Sequence, residues 1–70
     1  MKNVDVDELH NDLTRRANSC AVLADEHARY GNVDDARRCD GKAAAYRHAA
    51  ELLRAAEDRA VRAAAERVAR

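Results

Sequence analysis

The sequence predicts an all-α fold, an antiparallel hairpin of two long helices that forms a single domain over residues 1–70. The chain contains no proline and only two glycines, so few positions can interrupt a helix. Ala, Arg, Glu and Leu are abundant, which is typical of long helices. The main turn signal, Gly31-Asn32, lies near the middle of the chain. Because so short a connection places two helices side by side, the chain should fold back on itself.

The first helix is predicted over about residues 5–30. Asp5 is a suitable N-cap, and Glu8 follows three residues later, as in a capping box. Val4 and Leu9 flank the cap at the positions of a hydrophobic staple. One face of this helix is predicted to be apolar, because its larger residues recur at spacings of three, four and seven: Val6, Leu9, Leu13, Cys20, Leu23 and His27.

The second helix is predicted over about residues 33–70, with Asn32 as its cap. Gly31 suits the left-handed residue that commonly follows a helix end. Gly41 allows several interpretations. It is either an interior glycine that the helix tolerates, at a cost of about 1 kcal/mol, or a point where the first helix approaches closely or the second helix kinks. A third possibility is that a separate short helix ends near Asp40.

Self-association is expected because the apolar content is mostly alanine, which supplies 17 of the 33 apolar residues. Leu13 and Leu53 are predicted to be buried in the hairpin. The first helix should end opposite about Asp58, leaving the end of the second helix without an intramolecular partner. We therefore expect a four-helix bundle or a larger homo-oligomer. The predicted interface residues are Tyr46, Leu53, Ala60, Val61, Ala64 and Val68.

The cysteines and histidines do not match a known metal or redox signature. Cys20 and Cys39 are expected to be buried thiols that behave as small apolar residues, with a disulfide as the alternative. His27 lies seven residues from Cys20, so these two side chains and Cys39 could approach one another, but the close ligand pairs of zinc sites are missing. We expect no metal and no cofactor. His10 and His48 are expected to face solvent.

An enzyme is not expected, because Ser19 and Thr14 lie in a helical run and no glycine-rich phosphate loop occurs. The net charge is zero, which disfavours a general nucleic-acid binder. Oppositely charged residues spaced four apart on the second helix predict a solvated ladder of ion pairs. These pairs begin with Arg47–Glu51, Arg54–Asp58 and Asp58–Arg62. No apolar run reaches membrane-spanning length, and no secretory signal is visible at the start, so we expect a cytoplasmic protein.

The segment Gly31-Asn32-Val33-Asp34-Asp35-Ala36 resembles the turn between the two helices of a tetratricopeptide repeat, and Ala43 also fits that repeat. The sequence departs from the repeat at Arg37, Asp40 and Gly41, where bulky residues are usual. A single copy occurs, whereas stacked arrays need three or more. The resemblance therefore implies a helical hairpin and not a peptide-binding solenoid.

The alanine-rich run from Gly41 to Leu53 is similar to small proteins of high-GC actinobacteria and their phages. That resemblance implies a small accessory protein. The leading functional prediction is a non-enzymatic oligomeric interaction protein, for example a phage or bacterial factor that binds a host protein through helical surfaces. The alternative is a small DNA-binding regulator that uses the arginine-rich end of the second helix, although a recognition helix normally belongs to a compact trihelical unit.

Overall fold

The computed structural model of the protein describes residues 5–69 as two helices packed side by side, α1 (Val6–Arg29) and α2 (Val33–Ala69). The predicted all-α hairpin is confirmed, and both helices begin and end within one residue of the predicted positions. The molecule is elongated, with extents of 60 × 20 × 15 Å. Val4 of the predicted staple and the final residue of the second predicted helix, Arg70, lie outside the described residues.

Helix α1 begins with the predicted cap. Asp5 has an extended backbone, and its Oδ1 accepts a hydrogen bond from the Glu8 backbone N–H at 3.1 Å. The Asp5 carbonyl accepts from the Leu9 N–H at 3.0 Å, so the first helical turn closes directly behind the cap. One of the otherwise unpaired N–H groups at the helix start is thereby satisfied by a side chain.

The connection between the helices is a Schellman turn. Gly31 has a φ of 79°, the left-handed conformation that the sequence predicted for it. Its N–H donates to the Ala28 carbonyl at 3.1 Å, and the Asn32 N–H donates to the His27 carbonyl at 2.7 Å. The Asn32 carbonyl in turn accepts from the Ala36 N–H at 2.9 Å, which starts α2 at once. These bonds end α1 and begin α2 within three residues.

Helix α2 passes through Gly41 without interruption. The alternative of a separate short helix ending near Asp40 is therefore wrong. A Cβ added to Gly41 would meet nothing within 4 Å, so close approach by α1 is not the reason for this glycine. Gly41 is an interior glycine that the rest of the helix tolerates.

The core of the hairpin consists of alanine. The buried hydrophobic residues are Ala17, Ala24, Ala36, Ala43 and Ala50, with exposed fractions from 0% to 8%. Within each helix these alanines are seven residues apart, so they form one continuous seam, which we call the alanine seam. Side chains this small allow helix axes to approach at the short end of the usual range, about 8–10 Å.

The larger apolar residues lie beside the alanine seam and not within it. Leu13 and Leu53 are half-buried, so the prediction that both are buried in the hairpin is wrong. Cys20 and Cys39 are also half-buried, and both thiols are free. The physical reason is geometric: the alanines occupy the line of closest contact, and residues on either side of that line point partly to solvent.

Candidate functional site

One face of the hairpin carries four of its five leucines. Cys20 follows Ala17 by three residues, and Tyr46 follows Ala43 by three. Rotating an antiparallel helix pair by 180° about an axis normal to its plane exchanges the two helices. Residues that occupy the same position relative to the buried alanines of α1 and α2 therefore lie on the same face of the hairpin. We call this surface the leucine face, and its members are Leu9, Leu13, Cys20, Leu23, Cys39, Tyr46 and Leu53.

The leucine face is open to solvent in the hairpin. Leu9 is 39% exposed and Leu23 is 46% exposed, while the other members are half-buried. Arg16 lies at the edge of this face, where Asp12 and, to a smaller extent, Tyr46 of the opposite helix raise the pKa of its guanidinium. Exposed apolar residues gathered on one side of a protein are a feature of binding sites.

The opposite face of the hairpin is polar. Arg54 follows Ala50 by four residues, which places it on the other side of the alanine seam. Its Nη1 lies 2.7 Å from Asp7 Oδ1 on α1 and 3.1 Å from Glu57 Oε2. The hydrogen bond to Asp7 is the main reason that the pKa of Arg54 is raised. Both side chains of the Asp7–Arg54 pair remain in contact with solvent, so the pair adds little to stability. It does mark which levels of α1 and α2 lie side by side.

The predicted ladder of ion pairs along α2 does not form in the described part of the chain. Arg54 binds Asp7 and Glu57 instead of Asp58, because α1 brings a carboxylate within its reach. The other ion pairs within residues 5–69 join neighbours three or four residues apart on the same helix: Arg15 and Arg16 with Asp12, and Arg38 with Asp35.

The end of α2 projects beyond α1. The Asp7–Arg54 pair marks the level at which α1 begins, and residues 58–69 are all exposed. This overhang is about 20 Å long at 1.5 Å per residue. Val61 is 62% exposed and Val68 is 87% exposed. At 3.6 residues per turn, both valines continue along the side of α2 that carries the alanine seam and the leucine face.

The structure divides the predicted interface residues into two groups. Tyr46 and Leu53 belong to the half-buried part of the leucine face, where both helices contribute. The other four lie on the exposed overhang of α2: Ala60, Val61, Ala64 and Val68. The sequence analysis did not predict that the α1 residues of the leucine face form part of an interface. The sequence does contain a pattern that indicates them, since Leu9 and Leu23 lie on one side of the Ala17–Ala24 row.

Within residues 5–69, no three His, Cys, Asp or Glu side chains lie together as metal ligands would, so Cys20, His27 and Cys39 do not form such a group. The Thr14 hydroxyl donates to the His10 carbonyl at 3.0 Å. Ser19 is exposed.

His10 departs from its predicted position. It was expected to face solvent, but it is half-buried, and its Nδ1 is buried without a hydrogen-bond partner. The reason is its register, since His10 precedes Ala17 by seven residues and so lies in line with the alanine seam. His48 is exposed, as predicted.

A shallow depression near the start of α1 is formed by that helix and its cap alone. It is open to solvent, and its lining residues are Asp5, Glu8, Leu9, Asp12 and Arg15. Since α2 contributes nothing to this lining, the depression lacks the enclosing walls of a small-molecule site.

Neither helix, over the residues described, is both long enough and apolar enough to cross a membrane. No protein-family model, curated protein or solved structure matches the chain. Among the described residues, the leucine face is the strongest candidate for a functional site, because Leu9 and Leu23 are exposed on the same side of the hairpin.

Proposed function

We propose that this protein is a non-enzymatic interaction protein that works as an oligomer. The observation that carries the proposal is the division of apolar residues between the alanine seam and the leucine face. The fully buried residues of the hairpin are alanines, and four of its five leucines lie on one surface where another helical surface can cover them.

The energetics of burial favour association. Burying the methyl group of an alanine contributes about 0.8 kcal/mol, whereas full burial of a leucine contributes about 1.5–3 kcal/mol. Leu9 and Leu23 retain 39% and 46% of their exposure in the hairpin, so much of their contribution is not yet realised. A partner that covers the leucine face adds this contribution, and the single chain cannot supply it.

The resemblance in composition extends this proposal to a cytoplasmic accessory factor of a bacterium or phage, acting on a host protein. The free thiols Cys20 and Cys39 suit a reducing compartment. An amphipathic helix of a host protein would compete for the leucine face, because such helices bind apolar grooves through regularly spaced side chains.

The alternative of a DNA-binding regulator has less support. The overhang carries Arg59, Arg62 and Arg67, but Asp58 and Glu66 lie among them on the same exposed segment. Acidic residues interspersed in this way lower the positive potential that phosphate binding requires.

Sedimentation equilibrium on the full chain, from low to high micromolar concentration, tests the proposal. We expect a dimer or a larger assembly. A chain that remains monomeric throughout this range contradicts an oligomeric function. An electrophoretic shift that is strong at low salt and lost at physiological salt would instead favour phosphate binding.

A further inference from the structure

We propose that the partner of the leucine face is the leucine face of a second copy of this chain, in a two-fold symmetric four-helix bundle. In this bundle α1 of each copy lies against α2 of the other, and the two overhangs lie at the same end of the bundle, at diagonally opposite corners. The inference rests on the proposed oligomeric function. It adds which face is covered, that a second copy of the chain covers it, and how the two copies are oriented.

The exposed area of the hairpin matches what a stable dimer needs. The chain exposes 5815 Å². A compact monomer of 7.8 kDa exposes only about 4,400 Å² by the usual scaling with mass. The difference, about 1,400 Å² per chain, exceeds the roughly 800 Å² that each partner contributes to a standard interface.

The pattern of the leucine face favours self-pairing. Both helices contribute large side chains at equivalent positions, such as Leu13 on α1 and Leu53 on α2. Two such faces can therefore pack against each other, as a symmetric two-fold interface requires. The polar face of each hairpin, with its Asp7–Arg54 pair, would remain in solvent on the outside of the bundle.

Net charge does not distinguish the orientations, because residues 33–57 of α2, the part beside α1, carry five acidic and five basic residues. The pairing of each α1 with the partner's α2 depends instead on the direction of the two-fold axis. A two-fold axis parallel to the helices makes this pairing, and every helix then has antiparallel neighbours.

The same axis also covers the overhang. It keeps the C-terminal ends of both α2 helices at one end of the bundle. Beyond the level at which α1 begins, no α1 lies between the two overhangs, so they can converge and bring Val61 and Val68 of the two copies together. An axis perpendicular to the helices would place like helices together and send the overhangs to opposite ends. Only the parallel axis buries the valines that are 62% and 87% exposed in the hairpin.

The first experiment compares two double variants by sedimentation equilibrium. Leu9→Glu with Leu23→Glu alters the leucine face, whereas the control, Val22→Glu with Leu52→Glu, alters two more exposed apolar residues that lie away from it. We expect the face variant to raise the dimer dissociation constant by roughly 100-fold or more, about tenfold or more for each leucine. The control should change it by only a few-fold.

The second experiment tests the orientation without altering the leucines. In a chain with Cys20→Ala and Cys39→Ala, Val68→Cys should give a disulfide-linked dimer under mild oxidation. The matched control is Val22→Cys in the same background, and it should remain unlinked. With a perpendicular axis the two Val68 positions would lie at opposite ends of an assembly built from hairpins 60 Å long, and no link would form.

Each outcome has a separate meaning. A wild-type chain that stays monomeric overturns both the proposed function and this inference. An oligomer that tolerates the Leu9 and Leu23 changes overturns the inference but leaves the oligomeric function standing. A dimer that requires both leucines yet does not link through Val68→Cys overturns the orientation.

Discussion

At the scale of single residues, the two glycines have opposite roles. Gly31 has a φ of 79°, whereas Gly41 lies inside α2, and an added Cβ would meet no atom within 4 Å at either position. Replacement by alanine therefore tests backbone conformation with little interference from packing. Gly41→Ala should raise the free energy of unfolding by about 1 kcal/mol, since glycine is a poor helix former.

Gly31→Ala should lower the free energy of unfolding by about 1–2 kcal/mol, because the left-handed conformation crowds a Cβ. Denaturant midpoints measured at one protein concentration compare the two variants, provided that the slope of the transition is unchanged. Two shifts of the same sign would contradict the turn described for Gly31 or the helical role of Gly41.

The N-cap gives a second test at this scale. Asp5→Ala removes the 3.1 Å hydrogen bond to the Glu8 N–H, and it should lower the free energy of unfolding by about 0.5–2 kcal/mol. Asp5→Asn is the matched control, because asparagine caps a helix about as well as aspartate. Urea denaturation measures both, and a loss of equal size in the two variants would mean that charge, and not the cap, stabilises α1.

At the scale of the helices, the sequence identified where each helix begins and ends, and the Ala36, Ala43 and Ala50 row, but it did not separate the line of closest contact from the larger apolar residues beside it. The ends carry local signals, Asp5 at the start of α1 and Gly31 at the turn, and local hydrogen bonds settle them. The contact between helices depends on rotation about each axis. The apolar stripe of α1 is wide enough to include both Ala17 and Leu13, so hydrophobicity alone favoured the leucine, whereas close packing selects the alanine.

The alanine seam predicts a strong penalty for a larger side chain. Ala17 is fully buried, and Ala17→Leu would force the two helices apart. We expect a loss of about 1–3 kcal/mol in unfolding free energy, typical of an overpacked core. Ala45→Leu is the control, because Ala45 is exposed on α2 and leucine is nearly as good a helix former as alanine. Thermal denaturation of both variants at equal concentration measures the difference, and similar melting temperatures would place the helix contact elsewhere.

At the scale of the whole molecule, the unequal helix lengths and the alanine core both leave apolar side chains uncovered. The length of α2 leaves Val61 and Val68 beyond the end of α1, and the alanine seam leaves Leu9 and Leu23 beside the contact. The length difference could be predicted from the position of Gly31 in the sequence. The leucine face could not, because it depends on the rotation of both helices at once.

Assembly through the leucine face makes thermal stability depend on protein concentration, because each copy acts as a ligand that binds the folded form of the other. A tenfold dilution costs a dimer about 1.4 kcal/mol. For a cooperative unit of roughly 150 residues, each kcal/mol shifts the melting temperature by about 2–4 °C. We therefore expect the melting temperature to fall by about 3–6 °C for each tenfold dilution. Circular dichroism at 222 nm or calorimetry across a hundredfold range of concentration measures this slope.

The variants of the leucine face should remove that dependence. Leu9→Glu with Leu23→Glu should melt at a lower temperature that no longer changes on dilution, because a monomer unfolds without dissociating. Val22→Glu with Leu52→Glu should keep the slope of the wild type, since these residues lie outside the leucine face. A wild-type melting temperature that is constant over the whole range would show that the alanine seam alone stabilises the hairpin. The leucine face would then be free for a different protein, and the symmetric bundle would be wrong.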